Sequence, residues 1–230
     1  MPEEINRLAT DAVSNWFFTT SEAAGANLRR AGVGEERIFF VGNTMIDTLL
    51  ANMGRLRPPA ALAGLGLEPG GYFVTTLHRP ANVDDAGGFG RLLAAIGEGC
   101  RGLPVVFPVH PRTARTLREL PGFPANLHLV DPQPYLEFNW LVKHARGVIT
   151  DSGGITEETT VMGVPCLTLR DNTERPETIE LGTNELVGTD PARLGPALDR
   201  LFAGQWKRGS VPPLWDGRTG ERIVARLEAL

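Results

Sequence analysis

Strand-like runs alternate with amphipathic helical segments over most of this chain of 230 residues. Short runs rich in β-branched and aromatic residues predict buried strands at 72–77, 103–109, 126–130, 147–150, 165–170 and 185–187. Helical patterns separate or follow them at 85–99, 112–119, 134–145, 154–162 and 190–203. Each helix is long enough for a right-handed crossover between parallel strands. The alternation therefore predicts an α/β fold with a Rossmann-like, doubly wound parallel sheet.

The N-terminal part follows a different pattern, with helices predicted at 2–14, 21–31 and 44–54 and strands at 16–20 and 38–43. Because two strands are too few for a stable sheet, we interpret residues 1–43 as the end of another Rossmann-like domain. Residues 44–215 form the main predicted domain, in which the Pro-, Gly- and Ala-rich segment 57–71 predicts a short helix and a turn. Residues 216–230 predict an amphipathic terminal helix that packs back toward the N-terminal domain.

Composition excludes several classes of protein. A net charge of −4 without a basic patch argues against a nucleic-acid binder. No stretch approaches the ~20 apolar residues of a membrane helix, and the N-terminus has no targeting pattern, so we expect a cytoplasmic protein without membrane contact. Cys100 and Cys166 lie far apart without a CxxC pair, which predicts buried thiols rather than a disulfide framework or a metal site.

The segment TDSGG (150–154) allows two interpretations. The serine of a chymotrypsin-like protease would need an all-β double barrel, whereas this loop follows a predicted strand and opens a predicted helix. Ser152, Gly153 and Gly154 then expose backbone N–H groups at the positive end of a helix dipole. The carboxyl edge of an open α/β sheet is also where ligands bind. We favour a phosphate or diphosphate loop over a plain strand-to-helix turn, and both over a nucleophile.

Two acidic residues, Glu157 and Glu158, lie in the first turn of that predicted helix. Complementarity with the helix dipole is one explanation. A carboxylate one turn inside a phosphate-binding helix can also accept hydrogen bonds from both hydroxyls of a ribose. Diphosphate on the loop and ribose on this acid predict a nucleotide ligand.

Histidine and arginine residues follow two other predicted strands. His78 and Arg79 come after the first strand of the main domain, where arginine supplies a permanent cation and histidine can transfer protons near neutral pH. We favour a site over a structural role for this pair. His110 and Arg112 follow the next strand, but Pro111 between them is also a turn signal, so both interpretations stay open.

Charged residues also occur in the loop 170–178 and at the start of the chain. The loop is either solvated or supplies one cation to the diphosphate, for which we favour Arg175. Glu3 and Arg7, spaced i,i+4 on the first helix, by themselves predict only a well-formed helix N-terminus.

Taken together and in this order, MPEEINR, VGNTMIDTL, HRPANVDD, TDSGGITEE, RDNTERPET and GTNELVG resemble the non-hydrolysing UDP-N-acetylglucosamine 2-epimerases. The resemblance spans nearly the whole chain and implies a GT-B-type fold, of which this chain holds the second domain and the tail end of the first. It implies that UDP-GlcNAc and UDP-ManNAc are interconverted by elimination of UDP to a 2-acetamidoglucal and re-addition of UDP. It further implies that no metal or other cofactor is needed and that the full-length protein is a homodimer.

The resemblance also implies roles for individual residues. Catalysis is assigned to Glu3, an acidic residue, and to His78, which helps UDP depart and return. UDP-sugar binding is assigned to Arg7, Arg79, Ser152, Gly153, Gly154, Glu158 and Arg175. Of these, the Ser-Gly-Gly loop binds the diphosphate, Glu158 the ribose and Arg175 the phosphates.

Two departures from the family pattern limit these expectations. Ala81 stands where the family commonly has Glu, which weakens the case for an acidic side chain with a role in this motif. The chain also begins where the family's first domain is nearly complete, so we expect a fragment that binds UDP weakly and turns over little or nothing. A GT-B glycosyltransferase, a non-catalytic nucleotide-sugar-binding module and a hydrolysing epimerase remain as alternatives.

Overall fold

The computed structural model describes residues 2–230, apart from the side chains of Pro2, Glu3 and Arg112. The strands are β1 (Phe17–Thr19), β2 (Ile38–Phe40), β3 (Phe73–Thr76), β4 (Val105–Pro108), β5 (Leu127–Val130), β6 (Gly147–Thr150), β7 (Cys166–Thr168) and β8 (Asn184–Leu186). The helices are α1 (Pro2–Val13), α2 (Glu22–Arg30), α3 (Thr44–Asn52), α4 (Pro80–Val83), α5 (Ala86–Gly99), α6 (Pro111–Leu117), α7 (Tyr135–His144), α8 (Gly153–Met162), α9 (Pro176–Glu180), α10 (Leu194–Phe202) and α11 (Thr219–Leu227). Short 3₁₀ helices occur at Glu35–Arg37, Met53–Arg55, Ala60–Leu65 and Pro191–Arg193. Within the described range, none of these helices combines the length and the hydropathy needed to cross a bilayer.

The chain divides into two compact units, one formed by Met1–Ala51 with Pro212–Leu230 and the other by Asn52–Val211. This division differs from the boundaries that we expected after residues 43 and 215. Helix α3 lies in the first unit, where its Ile46 and Leu49 are fully buried. Asp47 of α3 explains part of this grouping, since its carboxylate accepts hydrogen bonds from the first N–H groups of α11 at 2.8–3.1 Å.

The second unit contains a six-stranded sheet in the order β5-β4-β3-β6-β7-β8, and every strand pair in it is parallel. From β3 the chain moves outward through β4 to β5, returns to place β6 on the other side of β3, and then continues outward. The direction of strand addition therefore reverses between β3 and β6, which is the topological switch point of the sheet. The predicted α/β fold with a doubly wound parallel sheet is confirmed.

Both faces of this sheet are covered, because successive strand residues point to opposite sides. On β3, Phe73 packs into a core cluster with residues of α5 and α10, whereas the adjacent Val74 packs into a second cluster with residues of α7. Cys166 of β7 lies in the second cluster and Cys100 in the first, and both are buried free thiols as predicted. Because both faces of the sheet are covered by apolar side chains, polar functional groups are placed at its carboxyl edge.

The first unit contains a parallel pair of strands, β1 and β2, with Phe17 opposite Ile38. Trp215, on the segment before α11, is 2% exposed and donates its indole N–H to the carbonyl of Thr20 at 2.9 Å. Arg222 of α11 donates to the carbonyl of Val41 at 3.1 Å. These contacts attach the last residues of the chain to its first strands and helices.

Candidate functional site

The carboxyl ends of β3 and β6 lie side by side at the switch point. Thr76 ends β3 opposite Thr150, which ends β6, and their hydroxyl oxygens are 2.6 Å apart. His78 and Asp151 follow these two strand ends, so the register alone brings the two residues together. Sequence patterns predict each strand, but they do not predict that these two strands are neighbours.

Asp151 is fully buried and accepts several hydrogen bonds from the turn after β3. Its Oδ2 accepts from the backbone N–H groups of His78 at 3.1 Å and Arg79 at 2.9 Å and from Nδ2 of Asn82 at 3.1 Å. Its Oδ1 lies 3.0 Å from Nδ1 of His78. Burial by itself raises the pKa of Asp151, but the hydrogen bonds from His78, Arg79 and Asn82 bring it below its ordinary value. The carboxylate is therefore ionised at neutral pH.

His78 lines a cavity of about 220 Å³ together with Ser152 and His110. Its side chain is 42% exposed, and because Nδ1 is directed at Asp151, Nε2 is the ring nitrogen left for a ligand. The ring of His110 lies 6.1 Å from that of His78, centre to centre. His110 thus borders the same cavity, while the side chain of Arg112 lies outside the described residues.

The loop after β6 has the predicted strand-loop-helix geometry. Ser152 is the N-cap of α8, with extended φ and ψ of −84° and 132° and a side chain that makes no capping hydrogen bond. Helix α8 begins at Gly153, and the first N–H groups of a helix have no partner within it. The start of α8, beside His78 at the cavity, can therefore receive an anion.

Glu157 and Glu158 lie in the second turn of α8, not in the first as expected, because the helix begins at Gly153. The two glutamates have different surroundings, although both are buried. Burial raises the pKa of Glu158, hydrogen bonds from Tyr135 and Asn139 lower it, and the neighbouring Glu157 raises it, with a net upward shift. Nδ2 of Asn139 lies 3.4 Å from Oε1 of Glu158. Glu157 instead forms an ion pair with Arg175, whose Nε lies 2.6 Å from Oε1 of Glu157. The N–H of this Nε is not aligned for a hydrogen bond.

Arginine side chains surround the loop after β7. Arg170 is 7% exposed, and its Nη1 lies 3.9 Å from where a Cβ on Gly153 would be. Its Nη2 donates to Oε1 of Glu174 at 2.7 Å. The hydrogen bond from Arg170 lowers the pKa of Glu174, and the charges of Arg170, Arg79 and Arg175 lower it further. Guanidinium groups therefore converge next to the start of α8.

The structure brings together most of the predicted site residues in the second unit. His78, Arg79, Ser152, Gly153, Gly154, Glu158 and Arg175 all follow or flank strand ends β3, β6 and β7. The site also contains Asp151 and Arg170, to which the sequence analysis gave no role. The signal for both was their position, because each is a charged residue shortly after a buried strand.

The roles of all the predicted site residues remain predictions, and two of these residues, Glu3 and Arg7, belong to the first unit. Glu3 is named as catalytic by the resemblance, but its side chain lies outside the described residues. Arg7 on α1 forms ion pairs with Glu4 and Asp11, each at 2.6 Å. Among the described side chains, no group of three or more His, Cys, Asp or Glu residues could hold a metal ion.

Comparison with known proteins decides the family. The family model described as UDP-N-acetylglucosamine 2-epimerase matches residues 1–228. This chain belongs to the UDP-N-acetylglucosamine 2-epimerase family.

Relatives with established names support the assignment and vary in the sugar. The chain is 40% identical over 234 residues to the UDP-N-acetylglucosamine 2-epimerase of Methanocaldococcus jannaschii, covering 97% of this chain and 63% of that protein. It is 39% identical over 191 residues to the UDP-2,3-diacetamido-2,3-dideoxy-D-glucuronate 2-epimerase of Pseudomonas aeruginosa, covering 82% of this chain and 52% of that protein. A UDP group is common to both names.

A solved structure agrees in fold. The crystal structure of the M. jannaschii UDP-GlcNAc 2-epimerase in complex with UDP-GlcNAc and UDP superimposes with a TM-score of 0.87 at 38% identity, covering 100% of this chain and 65% of that one. This family member therefore spans just under two thirds of the length of its M. jannaschii relative.

Proposed function

We propose that this chain provides the UDP-binding half of a non-hydrolysing UDP-GlcNAc 2-epimerase. The observation that carries the proposal is the convergence, at one switch point, of His78, the open start of α8 and a cluster of arginines. A histidine that can transfer protons beside an anion-binding helix start fits a reaction in which a diphosphate leaves and returns. The family relationship supports UDP as that leaving group.

Each part of UDP has a matching group in the second unit. The hydroxyl of Ser152, which makes no capping hydrogen bond, and the backbone N–H groups of Gly153 and Gly154 bind the diphosphate oxygens. Arg170 neutralises the diphosphate charge from beside Gly153, and Arg79 and Arg175 add to the positive field. Glu158 accepts the two ribose hydroxyls, for which its carboxylate must be ionised.

The proposed reaction exchanges bonds without oxidation or reduction. A base removes the proton on C2 of the sugar, a double bond forms between C1 and C2, and UDP leaves with the electrons of the C1–O bond. His78 donates a hydrogen bond from Nε2 to the departing phosphate oxygen. UDP then returns to C1 while a proton is delivered to the opposite face of C2. We keep Glu3 as the predicted catalytic carboxylate and Arg7 as its neighbour on the sugar side.

Isotope exchange tests the reaction. A full-length protein that contains this chain is incubated with UDP-GlcNAc in deuterated water, and the recovered sugar nucleotide is analysed by NMR. We expect deuterium at C2 and the appearance of UDP-ManNAc. Release of free ManNAc with UDP would instead indicate a hydrolysing epimerase, and an unlabelled C2 would indicate a transferase or a binding module. UDP-2,3-diacetamido-2,3-dideoxy-D-glucuronate in a parallel reaction decides which sugar is accepted.

Calorimetric titration of the 230-residue chain tests the half-site without requiring turnover. We expect UDP to bind at least about tenfold more tightly than uridine, since hydrogen bonds to a charged group contribute roughly 1.5–3 kcal/mol each. Equal affinity for UDP and uridine would contradict the diphosphate role of the α8 start.

A further inference from the structure

We propose that Asp151 is a positioning residue that fixes the ring orientation and tautomer of His78, so that Nε2 is presented to the departing phosphate. The inference rests on the proposed function, because it assigns His78 a ligand. It is carried by the geometry of two side chains on neighbouring strand ends. Asp151 itself borders no described part of the cavity, and therefore acts through His78.

The buried carboxylate of Asp151 holds both the backbone of the turn after β3 and the ring of His78. Oδ2 accepts from the backbone of His78 and Arg79 and from Asn82, which holds the turn after β3. Oδ1 shares the backbone N–H of His78 at 3.2 Å and lies 3.0 Å from Nδ1 of the same residue. Arg79 strengthens the attachment, since its Nε donates to the backbone carbonyl of Asp151 at 3.0 Å. These donors hold the carboxylate of Asp151 in place. Its contact with Nδ1 therefore fixes the orientation of the His78 ring.

The chemistry of the two groups then determines the tautomer. An ionised carboxylate only accepts hydrogen bonds, so Nδ1 of His78 must carry a hydrogen. In the neutral ring Nε2 is therefore the acceptor, and in the charged ring Nε2 carries the proton that a phosphate oxygen can receive. When UDP leaves, Nε2 of the charged ring transfers its proton to the departing phosphate oxygen, and the ring becomes neutral while Nδ1–H stays hydrogen-bonded to Asp151. When UDP returns, Nε2 regains the proton, and Asp151 is never protonated in the cycle.

Nitrogen NMR of the ligand-free chain tests the tautomer directly. The chain has four histidines, which are labelled with ¹⁵N, and the His78 signals are identified by their loss in His78→Gln. We expect the neutral ring of His78 in the wild type to be the Nδ1–H tautomer. In Asp151→Asn we expect the Nε2–H tautomer to gain population, because the fixed acceptor at Nδ1 is lost.

Asn82→Ala is the matched control, since it removes a donor to Oδ2 but leaves the contact between Oδ1 and Nδ1. We expect His78 to keep its wild-type tautomer in this variant. A change in Asn82→Ala equal to that in Asp151→Asn would mean that loosening of the turn explains the result, and would overturn the proposal. An Nε2–H tautomer in the wild type would overturn it even if Asp151→Asn does not fold.

A double-mutant cycle with UDP links the tautomer to ligand binding. We expect Asp151→Asn and His78→Gln each to raise the Kd for UDP about tenfold, the size expected for one hydrogen bond to a charged group. The phosphate accepts from Nε2 of the charged ring, and Asp151 is the counter-ion of that ring. The double variant should bind as weakly as His78→Gln alone, because Asp151 acts through that ring. Additive effects would show an independent role for Asp151 and contradict the proposal. Failure of the wild-type chain to bind UDP would contradict the proposed function instead, since the tautomer measurement needs no ligand.

Discussion

Glu158 has a proposed role in binding ribose, but its buried carboxylate destabilises the folded chain when it is ionised. Because its pKa is raised in the folded chain, the folded state holds a proton there more tightly than the unfolded state. The stability contributed by this proton is fully present below the unfolded pKa, near 4.5. It is lost as the pH rises through the folded pKa, since the unfolded state ionises first. A ribose ligand needs the ionised carboxylate that the protein disfavours.

Replacing Glu158 with glutamine separates these two effects. We predict that Glu158→Gln raises the melting temperature at pH 7 more than at pH 4, since it removes a buried charge only where that charge exists. We predict also that it raises the Kd for UDP about tenfold, through weaker hydrogen bonds to ribose. Thermal denaturation and titration at both pH values measure the outcome, with the exposed Glu180→Gln as control. An equal gain at both pH values would contradict the ionisation argument.

Arg170 and Arg175 offer a second test at the level of single residues. Arg170 is buried beside Gly153, whereas Arg175 lies against the buried carboxylate of Glu157. We predict that Arg170→Gln raises the Kd for UDP about tenfold or more (about 1.4 kcal/mol). We predict a smaller change in Kd for Arg175→Gln, together with a lower melting temperature, because Glu157 loses its ionic partner. If Arg175→Gln raised the Kd for UDP more than Arg170→Gln, Arg175 would be the residue that binds the diphosphate, as the sequence analysis predicted.

The placement of candidate site residues could be predicted where they lie within one segment of the sequence. The Ser-Gly-Gly loop, His78 and Glu158 were predicted because each follows a strand or begins a helix in the sequence itself. The partnership of His78 with Asp151 was not, because it depends on which strands are neighbours in the sheet. The pairing of Glu157 with Arg175 escaped prediction for a similar reason, since the loop after β7 folds back over α8.

At the level of elements, hydrophobic periodicity predicted the sheet well. All six strands of the second unit lie within their predicted segments or overlap them by most of their length. Helices α4 and α9 were not predicted, because each has at most five residues and begins with proline, so neither shows a helical period. Proline at the first helical position starts such turns at little cost. Both short helices follow strand ends and hold the loops that carry His78 and Arg175.

Gly42 connects β2 to α3 at a point where a side chain has no space. Its φ is +105°, and an added Cβ would lie 2.2 Å from the backbone carbonyl oxygen of Leu214. Gly32 has a φ of +89° with nothing within 4 Å of such a Cβ. Both backbone conformations are therefore unfavourable for alanine, but only at Gly42 would the added methyl group also clash with neighbouring atoms.

We predict that Gly42→Ala lowers the free energy of unfolding of the first unit by more than about 3 kcal/mol, since backbone atoms must move. For Gly32→Ala we predict a loss of about 1–2 kcal/mol, the conformational cost alone. Urea denaturation followed by the fluorescence of Trp215, a buried residue of that unit, measures both. Equal losses of unfolding free energy in the two variants would mean that the segment containing Leu214 moves away from the new methyl group at little cost. Its packing against the end of β2 would then be weak.

On the scale of the whole chain, the two units divide the proposed roles. Every group that we assign to UDP, from His78 to Arg175, belongs to Asn52–Val211. Both hydrophobic clusters of the six-stranded sheet also consist of residues from this range. The residues that the resemblance links to the sugar, Glu3 and Arg7, belong to the other unit. Binding of the nucleotide and chemistry on the sugar can therefore be tested separately.

We predict that residues 52–211 fold on their own and bind UDP with a Kd within about threefold of that of the 230-residue chain, a difference below ~0.7 kcal/mol. The physical reason is that the sheet has its own core and that its switch point holds the entire proposed nucleotide site. Circular dichroism melting establishes folding and calorimetry measures UDP binding, with His78→Gln in both proteins as the matched control. A folded 52–211 protein that does not bind UDP, beside a 230-residue chain that does, would show that the first unit supplies an essential binding group. Arg7 is the first residue to test in that case, since the resemblance assigns it to the UDP-sugar.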